Sequence, residues 1–391
     1  MPRLAPLARF GGLVASDLRD VTGDPAALDS SGWWAVVVGY EGRTVCARFG
    51  DVRPDPHPPA RRARRWRGPG AACWTSSLDR AGYVAGVHRI RERIAAGDVY
   101  QVNLCRILTA PLPGPGSSTG APDAASKCDT ADTADTADTA DTADTADTAD
   151  TADTADVDAL AAVLARGNPA PYAGVVRLPA HGVEVATASP ELYLRRAGRT
   201  VESGPIKGTG RTAADLTAKD RAENVMIVDL VRNDLGRVCT TGSVTVPALC
   251  AVEEHPGLVH LVSTVRGELA PGAGWAELIG ATFPAGSITG APKSSALRLI
   301  DELETAPRGP YCGGVGWVDA DRGTGELAVG IRTFWIDRAV AGGPVLRFGT
   351  GAGITWGSDP GREWRETELK AARLLAVASE GEVTSEGTVR P

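Results

Sequence analysis

The sequence has no apolar segment long enough to cross a membrane and no cysteine pattern typical of a metal site. No apolar run approaches the roughly 18 residues that a membrane-spanning helix needs, and the N-terminus lacks the apolar core of a secretory signal. The 7 cysteines are scattered and include no Cys-x-x-Cys pair. This usage argues against a disulfide scaffold and predicts reduced, mostly buried thiols in a cytoplasmic protein.

A strong charge of either sign is also missing once one segment is set aside. The formal net charge is −7, but residues 130–156 are nine Thr-Ala-Asp triplets that carry nine aspartates and no base. The remaining chain is therefore close to neutral. This balance predicts neither nucleic acid nor an acidic membrane surface as a partner.

Glycine and proline are abundant, with 47 Gly and 27 Pro, which favours a turn-rich enzyme built on sheets. We expect a short N-terminal segment (1–76) packed on a catalytic domain (77–378) and a flexible tail (379–391). Residues 111–156 are predicted to be disordered, because Thr-Ala-Asp repeats cannot bury enough apolar area to offset the ordering of the chain. The repeat is either a neutral expansion within a loop or an interaction segment.

Hydrophobic periodicity predicts a mixture of helices and strands. The first 75 residues are expected to be irregular apart from one hairpin. Helices are predicted at 79–96, 157–166, 220–235, 291–304 and 360–378, and strands at 33–39, 44–49, 99–109, 173–178, 184–188, 314–318, 327–336 and 345–350.

Two predicted helices carry acids three residues apart, Asp220 with Glu223 and Glu363 with Glu366. This spacing places each pair on one helical face. A solvated acidic face is the common origin of such a pair. Glu223, however, adjoins an apolar run, and carboxylates beside buried surface need a compensating cation. Mg²⁺ suits them, since it takes one or two carboxylates and keeps several waters.

Two glycine-rich runs, at 283–293 and 349–354, are predicted to expose backbone N–H groups next to a helix and a strand. Neither matches a phosphate-binding loop. With Arg332 expected in the middle of a strand and Lys293 beside the first run, both are candidate carboxylate sites.

Lys207 lies in a short segment between Pro-Ile and Gly-Thr. A lysine is usually an exposed surface residue, but burial would lower its pKa and make the amine a nucleophile. Glu191, shortly upstream, is a candidate proton donor. His260 lies in an apolar run and is either a satisfied core histidine or a neighbour of the reacting group.

Together these segments resemble the chorismate-utilising enzymes over about 77–378, apart from the triplet insertion. Nine motifs occur in order, among them Gly97-Asp-Val-Tyr-Gln-Val-Asn-Leu104, Ala188-Ser-Pro-Glu-Leu-Tyr193, Pro205-Ile-Lys-Gly-Thr209, His260-Leu-Val-Ser263, Gly286-Ser-Ile-Thr-Gly-Ala-Pro-Lys293 and Glu363-x-x-Glu-x-x-x-Lys370. The resemblance implies an α/β (α+β) fold, a large sandwich of mostly antiparallel β-sheets flanked by helices.

The resemblance also implies roles for individual residues. Glu223 and Glu366 would bind Mg²⁺, with Asp220 and Glu363 holding its waters. The substrate chorismate would contact Gln101, Thr289, Tyr311, Arg332, the amides of Ala352 and Gly353, and Lys370. Glu191 would be the general acid, with His260 beside the ring and Lys207 as either the nucleophile or an electrostatic anchor.

Three features discriminate within the resembled family, and the run Ile354-Thr-Trp-Gly-Ser-Asp-Pro360 resembles the ending of the aminodeoxychorismate enzymes. Water-using members carry lysine where Gln101 stands, so Gln101 implies ammonia as the nucleophile. Anthranilate synthases carry alanine where Lys207 stands, so Lys207 implies aminodeoxychorismate synthase component I. No glutaminase motif is present, and ammonia is expected from a separate glutamine amidotransferase subunit. The rivals are anthranilate synthase component I and a non-catalytic chorismate-binding protein.

Overall fold

A computed structural model of the chain describes residues 4–55, 66–114, 155–210, 212–255 and 258–380. Their helices are α1 (Arg80–Ala95), α2 (Val157–Gly167), α3 (Ala218–Gly236), α4 (Trp275–Thr282), α5 (Lys293–Leu303) and α6 (Pro360–Glu380). The strands are β1 (Leu7–Phe10), β2 (Leu13–Thr22), β3 (Trp33–Val38), β4 (Thr44–Pro54), β5 (Thr75–Ser76), β6 (Gln101–Pro111), β7 (Tyr172–Leu178), β8 (Val183–Ser189), β9 (Leu192–Ala197), β10 (Thr200–Gly204), β11 (Ile206–Gly210), β12 (Thr245–His255), β13 (Leu258–Glu268), β14 (Gly290–Ala291), β15 (Gly314–Asp319), β16 (Thr324–Val329), β17 (Thr333–Asp337) and β18 (Val345–Ile354).

The strands pair antiparallel in one continuous series. Its order is β12-β13-β10-β9-β16-β15-β3-β4-β2-β1-β7-β8-β17-β18-β6, with β11 also on β13, and β5 and β14 also on β6. The N-terminal strands lie in the middle of this series, because β1 pairs with β7 and β3 with β15.

The series folds onto itself as a sandwich. Val36 and Val315, from β3 and β15, share one buried cluster with Val176 and Val185, from β7 and β8. A second cluster packs α2 and α6 on the other side of β8, β17 and β18, and a third packs α1 and α5 against β6. The predicted fold class is therefore confirmed: a large sandwich of antiparallel sheets flanked by helices.

The five predicted helices are present, and most of their ends differ from the predicted ends by one or two residues. Helix α4 was not predicted. Several strand predictions were wrong. The first 75 residues are not irregular, since β1 and β2 form a hairpin through Gly11 and Gly12, both at positive φ. The strand predicted at 327–336 is interrupted between β16 and β17, and β9 to β13 were not predicted as strands.

The segment predicted to be disordered, 111–156, has ordered residues at both ends. Pro111 pairs with Val345 at the end of β6, and the Leu112 N–H donates to the Pro344 carbonyl at 2.9 Å. Asp156 caps α2 and forms an ion pair with Arg177 at 2.7 Å. The triplets up to residue 154 lie outside the described residues, as does most of the predicted C-terminal tail.

Among the described residues, no helix is both long enough and apolar enough to span a membrane. The six described cysteines are free thiols, as the sequence predicts.

Candidate active site

Lys207 on β11 is half-buried, at the meeting point of several elements. Its Nζ donates to the Ser287 carbonyl oxygen at 3.4 Å. Burial lowers the pKa of the Lys207 amine, whereas the carboxylates of Glu191 and Glu223 act in the opposite direction. The amine is thus held among acidic groups in surroundings that favour its neutral form.

Glu191 faces Lys207 from the turn between β8 and β9. Its backbone N–H donates to the Ser189 hydroxyl at 3.2 Å, which fixes the turn. Burial raises the pKa of the Glu191 carboxyl, and this rise is opposed by a hydrogen bond with the Ser287 side chain and by the charge of Lys207. A protonated carboxyl in such surroundings is a suitable proton donor.

Gln101, the first residue of β6, is fully buried, and neither its Oε1 nor its Nε2 has a hydrogen-bond partner in the described part of the chain. A Cβ placed on Gly353 would lie 2.9 Å from Gln101 Nε2 and 3.7 Å from Lys207 Nζ. The amide and the amine therefore converge on Gly353. A buried amide without a partner is costly, so these atoms are suited to a polar ligand.

The glycine run at 349–354 belongs to β18 and is not a turn after it. Opposite Gly351 and Gly353, the amides of Cys105 and Asn103 donate away from β18, to Glu304 and Thr289. In an antiparallel ladder the N–H of Gly353 must then also point away from β6, while that of Ala352 points toward it. Gly353 is thus suited to offer a free N–H. The predicted role of the Ala352 amide was wrong, because the ladder uses it.

Arg332 does not lie within a strand, contrary to the prediction; it precedes β17 with a φ of 51°. No carboxylate of the described residues pairs with its guanidinium, and burial lowers its pKa. Such an arginine suits a carboxylate ligand. Tyr311, also buried, packs its ring on Gly349, where an added Cβ would lie 2.0 Å from the ring.

Helices α3 and α6 bring Glu223 and Glu366 near Lys207, since both carboxylates act to raise the Lys207 pKa. Glu223 Oε1 is buried without a hydrogen-bond partner among described residues; its nearest cation, Lys219 Nζ, lies at 3.5 Å. Glu366 pairs with Lys370 at 2.7 Å, and Lys370 donates to the Gly351 carbonyl at 3.1 Å.

The other two predicted acids, Glu363 and Asp220, differ in their surroundings. Burial raises the pKa of Glu363, a Ser358 hydrogen bond lowers it, and Glu366 raises it further. Asp220 instead caps its own helix, because its carboxylate accepts from the N–H and hydroxyl of Thr217 at 2.8 and 2.7 Å.

The described residues contain no group of three or more His, Cys, Asp or Glu side chains placed to hold a metal. Mg²⁺ does not require one, because two carboxylates suffice when waters and substrate oxygens complete its shell. Glu223 Oε1 accepts no hydrogen bond from the described residues and has Lys219 as its ion-pair partner, so with Glu366 also acting on Lys207 it fits such an ion.

The remaining predicted residues lie around this centre. His260 is buried on β13, opposite residue 209 of β11. The buried Thr289 hydroxyl donates to the Ala285 carbonyl at 3.0 Å. Lys293 was wrongly predicted to serve a carboxylate ligand, since its Nζ is paired with Asp234 at 2.6 Å.

Ser287 and Arg308 were not among the residues predicted for the site. Ser287 lies inside a recognised motif, which was a usable signal. Arg308 carried none, yet it is fully buried, pairs with Glu304 and donates to the carbonyls of Ile288 and Asn103 at 3.0 and 2.9 Å. It thereby ties β6 to the turn that carries Ser287.

The fold and the site combine an α/β scaffold with a half-buried amine, a buried acid, carboxylates from two helices and an arginine that pairs with no carboxylate among the described residues. The family model for chorismate binding enzymes matches residues 43–123 and 145–376. The chain belongs to this family.

Relatives within the family carry more than one name. An anthranilate synthase component 1 from Streptomyces coelicolor is 37% identical over 81% of this chain and 55% of that protein. An aminodeoxychorismate synthase from Streptomyces pristinaespiralis is 44% identical over 56% of this chain and 32% of that protein. The chain thus spans about half the length of the first relative and a third of the second.

A menaquinone-specific isochorismate synthase from Escherichia coli shares the fold. It is 17% identical, with a TM-score of 0.70 over 96% of this chain and 89% of that structure.

Proposed function

We propose that the chain is component I of an aminodeoxychorismate synthase, which aminates chorismate at C4 with ammonia to give 4-amino-4-deoxychorismate. The observation that carries the proposal is the half-buried Lys207 amine, which bonds to the Ser287 carbonyl and lies near Glu191 and the amide of Gln101. An amine with a lowered pKa is suited to attack carbon.

The substrate has two carboxylates, and different groups of the site are suited to each. Arg332, the Gly353 N–H and Tyr311 would hold the enolpyruvyl carboxylate. Glu223 and Glu366 would hold Mg²⁺, which supplies Lewis-acid polarisation of the ring carboxylate when bound. Lys370 lies on the same side through its contacts with Glu366 and Gly351.

The proposed chemistry uses two displacements. Glu191 gives its proton to the C4 hydroxyl, which leaves as water while the Lys207 lone pair forms a bond to C2 and the ring double bonds shift. Ammonia then bonds to C4, the double bonds shift back, and Lys207 leaves as a neutral amine. The new ammonium group returns one proton to the Glu191 carboxylate, which restores both side chains.

The choice of ammonia follows from Gln101. A neutral amide cannot take a proton from water as a lysine amine can, whereas ammonia needs no such base. Ammonia would come from a separate glutamine amidotransferase subunit or from ammonium in solution.

The test is a product assay with chorismate, Mg²⁺ and ammonium, analysed by mass spectrometry. We expect an amine that retains the enolpyruvyl group, and loss of turnover on chelation of Mg²⁺. Anthranilate with free pyruvate would instead support the second candidate, anthranilate synthase component I, which the Streptomyces coelicolor relative favours. Unchanged chorismate with Mg²⁺-dependent binding by calorimetry would indicate a binding protein.

Variants separate attack by Lys207 from charge anchoring. Lys207→Arg keeps the positive charge but cannot act as a neutral nucleophile, so we expect it to be as inactive as Lys207→Ala. In the absence of ammonium, intact-protein mass spectrometry should find wild type heavier by chorismate less water, and Lys207→Arg unchanged. Turnover retained in Lys207→Arg would contradict attack by Lys207.

A further inference from the structure

Ser287 lies next to both side chains that act in the proposed chemistry, Glu191 and Lys207. It lies in the 3₁₀ turn Gly286–Ile288 and is 6% exposed. Its main-chain carbonyl accepts from Lys207 Nζ at 3.4 Å, and its side chain lies where its hydroxyl acts on the Glu191 carboxyl to lower the pKa of that group. One residue thus links the proton donor to the amine.

Hydrogen bonds from neighbouring residues hold this turn in place. Arg308 donates to the Ile288 carbonyl at 3.0 Å, and the Thr289 hydroxyl donates to the Ala285 carbonyl at 3.0 Å. The Asn103 N–H donates to the Thr289 carbonyl at 2.7 Å, which fastens the turn to β6. Because these bonds are buried or partly buried, they restrain the backbone at Ser287.

The two contacts of Ser287 have different consequences. A carbonyl that accepts one N–H of the Lys207 amine restricts the direction of its lone pair. A hydroxyl that donates to the Glu191 carboxyl fixes that group and favours its ionised form. We propose that Ser287 is a positioning residue that holds the Glu191 carboxyl and the Lys207 amine in a fixed relation, so that both reach the same substrate molecule. This inference rests on the proposed roles of Glu191 and Lys207.

Replacement of the hydroxyl tests the proposal. In Ser287→Ala, we expect kcat/KM for chorismate consumption to fall about 10- to 100-fold through kcat, since a misplaced group costs rate more than binding. Turnover requires protonated Glu191, so the activity falls as pH rises through its pKa. The variant removes a bond that lowers this pKa, while Lys207 still faces the carboxyl. The basic limb of the pH profile should therefore move to higher pH.

Ser287→Thr is the matched control, because it keeps the hydroxyl and should restore most of kcat and the wild-type limb. Ser287→Gly removes the hydroxyl without adding volume and replaces Ser287→Ala if that variant does not fold. If Ser287→Ala and Ser287→Thr lost kcat/KM equally and the basic limb of the pH profile did not move, Ser287 would have only a packing role. Wild-type kinetics in Ser287→Ala would also overturn the proposal.

The product assay keeps this inference separate from the proposed function. Chorismate consumption is followed whatever the product is, whereas mass spectrometry identifies the product. If the product is anthranilate and the basic limb moves in Ser287→Ala, the proposed function is contradicted and the role of Ser287 is retained. If the product is the amine and the basic limb does not move, the proposed function is retained and the role of Ser287 is contradicted.

Discussion

Burial acts in opposite directions on Lys207 and Glu191. It lowers the pKa of the amine and raises that of the carboxyl. A neutral amine and a protonated acid can therefore coexist closer to neutral pH than free side chains allow. Each also stabilises the charged form of the other, which limits both shifts. The relative position of the two side chains therefore matters for their protonation states. Substitutions of single residues in the site are expected to have large effects on activity.

Gly349 is one such residue, because the Tyr311 ring occupies the space of a side chain there. An alanine Cβ would lie 2.0 Å from the ring. We expect Gly349→Ala to raise KM for chorismate by about tenfold or more as Tyr311 is displaced, and to destabilise the fold by about 1–3 kcal/mol through overpacking. Steady-state kinetics and urea unfolding measure the two effects.

The control for that substitution is Gly236→Ala at the end of α3, where an added Cβ meets nothing within 4 Å. Its KM and stability should match wild type within about 0.5 kcal/mol. If Gly349→Ala also matched wild type, the contact between Gly349 and Tyr311 would not position Tyr311.

Between elements, the ion pair of Asp234 and Lys293 joins the end of α3 to the start of α5. Burial raises the pKa of Asp234, and Lys293 opposes the rise by a hydrogen bond and by its charge. Removal of the lysine leaves a buried carboxylate without its cation. We expect Lys293→Ala to lose about 3–5 kcal/mol of the free energy of unfolding near pH 8.

The pH dependence of that loss has a definite sign. In Lys293→Ala the folded pKa of Asp234 rises further above its unfolded value, so the folded state binds more protons and its stability falls as pH rises between the two values. Urea unfolding should therefore show a smaller deficit at pH 5 than at pH 8. A deficit independent of pH would mean that lost packing, not the unpaired carboxylate, is responsible.

Helices were predictable from the sequence because their apolar spacing and caps are local. Asp79 and Thr217 cap α1 and α3 as side-chain acceptors, close to the predicted starts. Strands such as β12 and β13 were missed because their register contains irregularities and their stability comes from distant partners. Motif resemblance supplied the predicted site residues. It did not reveal that the ladder uses the Ala352 amide or that Lys293 pairs with Asp234, since both depend on tertiary contacts.

At the scale of the whole molecule, the N-terminal strands complete the sheet. β3 lies between β4 and β15, and β1 joins β2 to β7. Residues 7–54 therefore connect two parts of the series. One part includes β9, which carries Tyr193 and Leu194, and the other includes β17 and β18, which carry Thr333 and Gly353. The site depends on this connection, because its groups come from both parts of the series.

The described residues on the two sides of the triplet insertion lie beside the same segment of the chain. Leu112 is bonded to Pro344, and the Ala155 carbonyl accepts from Arg338 at 2.8 Å, so both ends lie beside the segment between β17 and β18. A shorter connection can therefore span them at little entropic cost. Deletion of residues 130–154 should leave turnover within about twofold, because Ala155 and Asp156 remain to anchor α2.

The matched control is a deletion of residues 130–156, which also removes Asp156, the cap of α2 and the ion-pair partner of Arg177. Loss of the cap costs about 1 kcal/mol, and the buried Arg177 left unpaired adds to it. We expect a lower Tm for this second deletion in thermal unfolding and an unchanged Tm for the first. A large loss of turnover in the shorter deletion would mean that the triplets contribute to the reaction, which would contradict a passive insertion.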